Sequence, residues 1–440
     1  MLLNKVYVIT SPELVPAVKR AHRNMSFDPL ITRTAKCVGG LKGSGLELIR
    51  SKAQHGQGLG HETIIAIRPT LVGDALDQLN ETMIHVLQGS IEELKSDEAK
   101  PLDLCDWCRH AMTVASTDAV YGKLNPYSRK SVRDAFWVIE HNIGYLLMDF
   151  APWLVARKAW KAREHLVQSF VQYYEAGGQL NSSQMSYTRW KKQIDGGATL
   201  ENVARMEALM GLGILSNTVP SSFWAIFDLY SRPELLEEVR NEVRENAVSI
   251  DSDGTHTLNL GDIRDKCPLL LGSFEETLRL RSKSAQLRVI FEDTMLEDKY
   301  IIKEGSILLM PSVVLNRSVA AWGADANEFN PRRYMDLETD KKQKASAFMS
   351  FGVTPHVCAG RHFVTGEILA MLAMLVLQFD ILPAGGEWVE PPSDIKAMAA
   401  SLLPPKGQTL VTFKERKEFK GVSWKSHVSK GKGRFELIIG

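Results

Sequence analysis

Cys358 is the residue whose position most directly suggests chemistry. It lies in the segment Phe351–Arg361, directly before an apolar run that predicts a helix over Ala359–Gln378. The first turn of a helix has unpaired amide groups and a partial positive charge, so the N–H groups after Cys358 can stabilise a thiolate. A thiolate is either a metal ligand or a nucleophile. A nucleophilic cysteine needs a base, which His356 could supply, and an orienting group, which the sequence does not reveal.

Two other patterns place polar residues on predicted helices. Glu276 and Arg279 are three residues apart, so they share a helix face and can pair, although such pairs are also common on solvated helices. Pro220 has no N–H to donate to the carbonyl of Ser216, so the helix should open there and leave polar groups facing a ligand. A simple kink in a packed helix is the alternative for Pro220.

The elements that must position these residues are mostly helical. A short strand over Lys5–Thr10 and a helix from Ser11 through Lys19 come first, and a Gly-rich segment over Gly39–Gly60 is predicted to be a mobile loop. Amphipathic or apolar periodicity then predicts helices within 70–175 and over 200–230, 231–244 and 267–281. Short runs rich in Val, Ile and Leu predict strands over 286–292, 300–302 and 306–310. The fold class is therefore mostly α with small β-sheets, without a linker that would divide two domains.

Composition excludes several classes of protein. The 440 residues are 44% hydrophobic and 24% charged, which excludes collagen, low-complexity disorder and a disulfide-stapled miniprotein. A net charge of +1 gives no reason to expect a nucleic-acid partner. The five cysteines are too few and scattered for a disulfide framework, which favours a reducing compartment. The pair Cys105 and Cys108 lacks a second pair at zinc spacing, so two ordinary thiols are expected.

The segment around Cys358 resembles the haem-binding loop of the cytochrome P-450 superfamily, Phe-x-x-Gly-x-x-x-Cys-x-Gly. Phe351, Cys358 and Gly360 match this pattern, whereas Thr354 stands where the family usually has glycine. His356 occupies the position of an Arg, or sometimes a His, that faces a haem propionate. The resemblance implies that Cys358 is the axial ligand of haem iron, where a thiolate favours O–O cleavage.

Further matches follow in the family's order over roughly Leu200–Phe413. Glu276 and Arg279 resemble the Glu-x-x-Arg motif, and NPRRY resembles the Pro-x-Arg-Phe motif, which implies that Arg333 joins that pair. A buried carboxylate with two guanidinium groups would have a structural role behind the haem loop. Arg288 lies where the family usually places a propionate-binding Arg.

The distal helix departs from the usual family pattern of an acid followed by Thr. Ser216 stands at the acid and Asn217 at the first Thr, which resembles the branch containing sterol hydroxylases of bile-acid synthesis and prostacyclin synthase. Asn217 and Thr218, beside Ser216, could hold a water chain that delivers protons to the bound oxygen, so these three are the expected catalytic residues. Because the branch includes both oxygenases and isomerases, the type of reaction stays open at this point.

The resemblance implies the cytochrome P-450 fold, haem b as the cofactor, and monooxygenation with NADPH as the electron source through a partner, NADPH-cytochrome reductase. The expected substrates are molecular oxygen and an apolar small molecule such as a polyketide, terpenoid or sterol, in secondary-metabolite or sterol biosynthesis. Substrate contacts are expected at Leu212–Ser216, at Ser284–Leu287, and at Leu402 with Leu403. An isomerase that rearranges a peroxide, and a haem protein without turnover, are the alternatives.

The chain is interpreted as a haem-thiolate catalytic domain over 1–413 and a basic tail over 414–440. Eight Lys or Arg against two acids lie between Lys414 and Arg434, which is typical of a solvated segment. No run approaches the ~18 to 20 apolar residues of a membrane span, and no signal peptide is evident, so the chain is soluble as written. The opening of the sequence resembles the family's early strand and following helix, so the family's N-terminal anchor and first strand are expected to be missing from the sequence given. With such an anchor, the natural protein would lie on the cytoplasmic face of the endoplasmic reticulum.

Overall fold

The computed structural model describes residues 5–51, 58–96, 100–335, 341–431 and 433–438. Helices make up most of the described chain, as the sequence predicts. The α-helices of the first half are α1 Val15–Arg20, α2 Asp28–Cys37, α3 Gly43–Arg50, α4 Leu59–Ile67, α5 Gly73–Ser96, α6 Leu104–Tyr121, α7 Lys130–His141, α8 Ile143–Leu147, α9 Pro152–Val155, α10 Arg157–Glu175 and α11 Gln184–Asp195. Those of the second half are α12 Leu200–Leu215, α13 Thr218–Tyr230, α14 Pro233–Ala247, α15 Leu260–Lys266, α16 Pro268–Arg281, α17 Ser312–Leu315, α18 Val319–Trp322, α19 Lys341–Ala347 and α20 Arg361–Gln378.

The strands form small sheets at the edges of the helical body. They are β1 Val6–Val8, β2 Met25–Ser26, β3 Leu102–Asp103, β4 Val248–Ile250, β5 His256–Asn259, β6 Ala285–Ile290, β7 Thr294–Leu296, β8 Tyr300–Ile302, β9 Ile307–Pro311, β10 Phe379–Pro383, β11 Leu410–Glu415 and β12 Trp424–His427. The largest sheet has the order β1-β9-β6-β2, in which β6 runs antiparallel to β9 with Leu287 opposite Leu309. This sheet fixes the position of Arg288, which lies on β6.

Two helices are apolar around most of their circumference and are therefore buried. Every residue of α13 is buried, and α20 is buried from His362 to Gln378 except at Val364. By length and composition alone α20 is apolar enough to cross a membrane, but 89% of it is buried in the protein, as is typical of a core helix. The N-terminal end of this core helix follows Cys358.

The helix interruption predicted from Pro220 is present. Helix α12 ends at Leu215 and α13 begins at Thr218, so Ser216 and Asn217 form a break between two nearly continuous helices. The hydroxyl of Thr218 donates to the carbonyl of Ile214 at 2.6 Å and so satisfies one backbone group at the break.

The prediction of a mobile loop over Gly39–Gly60 is wrong for part of that segment. Residues 43–50 form helix α3, whose Ile49 is 4% exposed and packs in an apolar cluster with Leu41 and Leu59. This burial outweighs the low helix propensity of Gly43 and Gly45. Residues 52–57 of the segment lie outside the described residues.

The basic C-terminal segment is more buried than its composition suggests. Strand β12 pairs in parallel with β5, and Trp424, Phe435 and Ile438 are at most 7% exposed. The amide of Phe435 donates to His362 Nδ1 at 3.2 Å, and the amide of Ile438 donates to Glu275 at 3.0 Å. The expectation of a simply solvated segment is therefore wrong, because apolar residues alternate with the charged ones and face helices α16 and α20.

Replacing Phe435 by alanine tests whether this segment is part of the core. Phe435→Ala should lower the free energy of unfolding by about 3 to 5 kcal/mol, because it leaves a cavity in a buried cluster. Urea unfolding followed by circular dichroism measures the change. Glu436→Ala, at the exposed neighbouring position, is the control. Equal stability of the two variants would mean that the segment does not dock in solution.

Candidate active site

The loop before α20 is closed by backbone contacts. The amide of Cys358 donates to the carbonyl of Phe351 at 2.8 Å, which joins the two ends of the loop. Gly352 has φ of +87°, and a Cβ there would lie 2.6 Å from the carbonyl oxygen of His356, so this turn requires glycine. The backbone of Thr354 has no positive φ, so this position does not need the glycine that the family usually has there. The left-handed turn of the loop is made by Gly352, two residues earlier.

The Cys358 thiol meets two opposing influences. The pKa of the thiol is raised overall, because desolvation by the surrounding protein outweighs the opposing effect of the backbone N–H groups of Gly360 and Arg361 and of the charge of Arg361. The side chain itself is exposed and therefore open to a ligand, unlike those of the other four cysteines, all of which are buried. Buried Cys105, for example, has its pKa raised to about 11 by desolvation. Cys358 is thus the cysteine that a ligand can reach among the described residues.

The space beside Gly360, close to the Cys358 sulfur, is open. Its φ of −82° is open to any residue, and a Cβ there would meet no atom within 4 Å. The protein's own packing therefore does not require glycine at this position. A group lying flat against the loop would require it, because a side chain would occupy the same space.

Buried positive charge collects at one edge of the loop. Arg288 is 2% exposed, donates to the carbonyl of Val353 at 2.9 Å, and has its pKa lowered to about 10 by desolvation despite the charge of Asp28. The pKa of His356 is lowered to about 3 by desolvation and then by Arg288, His61 and Arg68. Such a cluster is costly unless anions neutralise it. Asp28 is the carboxylate that contacts it among the described residues.

Arg68 and His61 are site residues that the sequence did not reveal. Arg68 donates to the carbonyl of Pro355 at 2.8 Å, and His61 Nδ1 lies 3.3 Å from Asp28 and beside the ring of His356. Both come from the α4 region, where the sequence showed no clear basic pattern. Only the folded chain brings them to the loop.

Glu276 is buried among the two arginines expected to join it. Arg279 donates to both of its carboxylate oxygens, at 2.7 and 2.6 Å, and Arg333 donates to Oε1 at 3.1 Å. Glu276 and Arg279 have no exposed side-chain surface, and Arg333 has 5%. The hydroxyl of Tyr334 and the amide of Asn330 also donate to Glu276, so its oxygens are fully hydrogen-bonded.

Asn316 connects this buried cluster to the loop. The Arg279 guanidinium donates to the backbone carbonyl of Asn316 at 2.7 Å. The side-chain amide of Asn316 donates to the backbone carbonyl of Arg279 at 2.9 Å. Asn316 Oδ1 then accepts the amide N–H of Met349 at 2.8 Å, two residues before Phe351. The position of the loop is thus fixed to the buried cluster through these three hydrogen bonds.

The three distal residues differ in what their side chains contact. Ser216 is 1% exposed, and its hydroxyl has no hydrogen-bond partner among the described residues. Asn217 is half-buried, and its side-chain oxygen accepts the amide N–H of Ser401 at 2.6 Å. Thr218 uses its hydroxyl within the helix. Ser216 and Asn217 are therefore the two side chains at the break that can still bind water.

The residues expected to contact substrate differ in how far they are buried. Leu212, Leu287 and Leu403 are half-buried, as residues at the edge of a pocket are, whereas Leu402 is 2% exposed and forms a bridge with Ser282. Trp224 donates to the carbonyl of Leu403 at 2.8 Å, which ties this segment to α13.

The residues present fit a haem group. The Cys358 thiol is accessible and lies close to two backbone N–H groups, and there is open space beside Gly360. The buried guanidinium of Arg288 and the neighbouring Arg68 would suit the anionic propionates of haem. No group of three or more His, Cys, Asp or Glu that could hold a bare metal ion occurs among the described residues. A single accessible thiol is a donor that would suit haem iron.

Comparison with known proteins identifies the class. Residues 65–411 match the family model described as Cytochrome P450. A cytochrome P450 monooxygenase, nodJ, of Hypoxylon pulicicidum is 40% identical over 451 residues, which cover 100% of this chain and 87% of that protein. A cytochrome P450 monooxygenase of Gibberella zeae is 27% identical over 440 residues, covering 97% and 83%. Cholesterol 7-alpha-monooxygenase of Cricetulus griseus is 26% identical over 371 residues, covering 76% and 71%.

The chain belongs to the cytochrome P450 family, as the motifs around Cys358 and Glu276 predict. It is a haem-dependent monooxygenase with haem b as its cofactor and NADPH as its electron source through a redox partner. Molecular oxygen and an organic substrate complete the reaction.

Removing Arg333 tests the buried cluster. Arg333→Ala should destabilise the protein by about 3 to 5 kcal/mol, because Glu276 then loses one of two cations while it stays buried. The midpoint of thermal unfolding and the haem content of purified protein measure the effect. Arg332→Ala, at the exposed neighbour paired with Glu238, is the matched control and should change little. Similar losses in both variants would contradict a specific role for Arg333.

Proposed function

We propose that Cys358 is the axial thiolate ligand of the haem and that His356 and Arg288 contact its propionates. The observation that carries this proposal is the exposed Cys358 thiol, toward which the N–H groups of Gly360 and Arg361 converge. When bound, haem supplies the activation of molecular oxygen. Phe351 and Gly360 shape the loop on the thiolate side.

The cationic cluster would hold the cofactor by charge neutralisation. Propionates beside Arg288 and Arg68 would supply the negative charge that the buried guanidinium groups lack. Anions nearby would also raise the pKa of His356 from its low value, since they favour the imidazolium form. We extend the set of propionate residues to Arg68, because it is anchored on the same loop through Pro355.

Glu276, Arg279 and Arg333 would serve a structural role. Their side chains are buried against backbone carbonyls rather than directed into the site, and they reach the Cys358 loop through Asn316. They would fix the loop so that its thiolate and its N–H groups keep their relative positions.

Ser216 and Asn217 would hold water on the oxygen side of the site. Thr218 would support them by stabilising the break, since its hydroxyl donates to Ile214. The contact between Asn217 and Ser401 would couple the break to the segment containing Leu403, so the shape of the substrate pocket and the position of the water would depend on each other.

The substrate would be an apolar small molecule of the polyketide, terpenoid or sterol type. Half-buried Leu212, Leu287 and Leu403 offer aliphatic surface, and one relative, at 26% identity, is named for its action on cholesterol. The proposed role is in secondary-metabolite or sterol biosynthesis. Incubation with candidate substrates and detection of products one oxygen heavier would test this class.

NADPH-cytochrome reductase is the proposed redox partner. Arg68 and Arg361 lie at the Cys358 loop, and exposed Arg434 is near enough to lower the pKa of Arg361 and His362. This positive charge would attract an acidic flavoprotein surface and would make electron transfer salt-dependent.

A membrane surface is the proposed location, on the cytoplasmic face of the endoplasmic reticulum. An apolar cluster of six exposed residues lies in and around α8 and α9: Tyr145, Met148, Phe150, Trp153, Leu154 and Val155, each at least 46% exposed. Exposed Arg157, Lys158 and Lys161 follow it directly. Aromatic and aliphatic side chains beside lysine and arginine fit the interface of an anionic bilayer.

The proposed axial ligand is tested by the spectrum of the reduced protein with carbon monoxide. Cys358→Ser should abolish the red-shifted band typical of thiolate ligation, because the hydroxyl does not ionise to an equivalent donor. Cys37→Ser, at a buried cysteine elsewhere, should leave the band intact. A thiolate-type band that survives in Cys358→Ser would refute the assignment.

The membrane proposal is tested with vesicles of phosphatidylcholine and phosphatidylserine. Leu154→Glu should weaken vesicle binding about tenfold or more, since it removes an exposed aliphatic side chain that would insert into the bilayer and adds a negative charge that the anionic surface repels. Ile250→Glu, at an exposed aliphatic position outside the cluster, is the control. Co-sedimentation measures binding, and equal binding of both variants would count against the apolar cluster.

A further inference from the structure

A cavity of about 500 Å³ lies behind the helix break. It is partly open to solvent and is lined by α6, α7, the break between α12 and α13, and the segment 394–405. Its walls include Arg109, Trp137, Glu140, Ser216, Pro220 and Asp394. The cavity has polar groups and room for several water molecules, so it is suited to hold water.

Ser216 directs an unsatisfied polar atom into this region. Its side chain is 1% exposed, and its hydroxyl has no partner among the described residues. A buried hydroxyl of this kind normally binds protein or ordered water. Ser216 also stands where the family resemblance places an acid, so the chain has no carboxyl group at that position.

Glu140 supplies a carboxyl group to the same cavity from the neighbouring helix α7. It is 7% exposed, and no described residue donates a hydrogen bond to its side chain. Its pKa is raised to about 7, mainly by burial, with Arg109 acting to lower it and Asp394 to raise it. A group with this pKa exchanges its proton readily near neutral pH.

The other charged groups of the cavity are already engaged. Asp134 on α7 is exposed and pairs with Lys130 at 2.7 Å, and Asp394 accepts the amide N–H of Lys396 at 3.0 Å. Arg109 on α6 pairs with Asp106 and lies over Trp137 at 5.3 Å from the ring centre. His141 is exposed at the end of α7. Glu140 is therefore the buried acid of this set.

We propose that Glu140 is a proton-relay residue, which takes up protons from solvent and passes them through cavity water to Ser216 and the oxygen side of the site. In each transfer the Glu140 carboxyl loses its proton to a water molecule that contacts Ser216. The resulting carboxylate then regains a proton from solvent. Monooxygenation consumes two protons as one oxygen atom is reduced to water, and NADPH supplies the two electrons. The relay therefore only delivers protons that the established reaction already consumes. The inference rests on the proposed position of the haem beside Asn217.

Glu140→Gln keeps the size of the side chain but cannot release a proton. We expect a several-fold lower yield of product per NADPH, with the missing electrons found as hydrogen peroxide, and a larger solvent deuterium isotope effect on product formation. Asp134→Asn, in the same cavity, should leave the yield unchanged. Glu140→Asp should restore part of it.

A measurement without turnover gives independent evidence. Infrared difference spectra of the resting protein should show a protonated carboxyl band that disappears as the pH rises through about 7, and this band should be missing in Glu140→Gln. Unchanged yield and isotope effect in Glu140→Gln, or no such band in the wild type, would overturn the relay. The carbon monoxide spectrum distinguishes failure of the relay from failure of the haem assignment. A normal thiolate band together with an unchanged yield in Glu140→Gln rejects the relay alone. The absence of that band in the wild type rejects the haem assignment.

Discussion

The ion pair between Glu276 and Arg279 is entirely enclosed by protein. Burying two charges costs several kcal/mol each, and the pair offsets that cost only because every donor and acceptor around it is used. Arg279 donates to carbonyls of Asn316 and Ala326 as well as to Glu276, so a shift of any of these segments would leave a buried charge unpaired. The pair therefore holds three separate parts of the chain in one arrangement, and the Cys358 loop is attached to that arrangement.

Electrostatics divide the site into two regions with different requirements. On the loop side, the Arg288 guanidinium is buried with little negative charge around it, so the binding of an anion there and the stability of this region would be linked. At the helix break, Ser216 borders a cavity of about 500 Å³ whose walls carry both acidic and basic side chains.

Sequence reasoning succeeded where the determinants are local. The Cys358 loop, the pair three residues apart at Glu276 and Arg279, and the break before Pro220 all depend on neighbours within a few residues. The mostly helical fold with small sheets followed from periodicity in the same way. Arg68 and Glu140 escaped notice because their importance comes from long-range packing, which no single-sequence pattern records. Helix α3 and the C-terminal segment were misjudged because tertiary burial of Ile49 and Phe435 outweighs glycine content and charge.

The C-terminal segment also has a consequence for how the protein matures. Phe435 and Ile438 complete the core beside α16 and α20, yet they are synthesised well after Cys358. The nascent chain on the ribosome therefore exposes an unfinished apolar surface next to the loop until these residues emerge. Chaperones could bind this surface until residues 435–438 are synthesised. The protein would also retain its cofactor only after these residues have packed against α16 and α20.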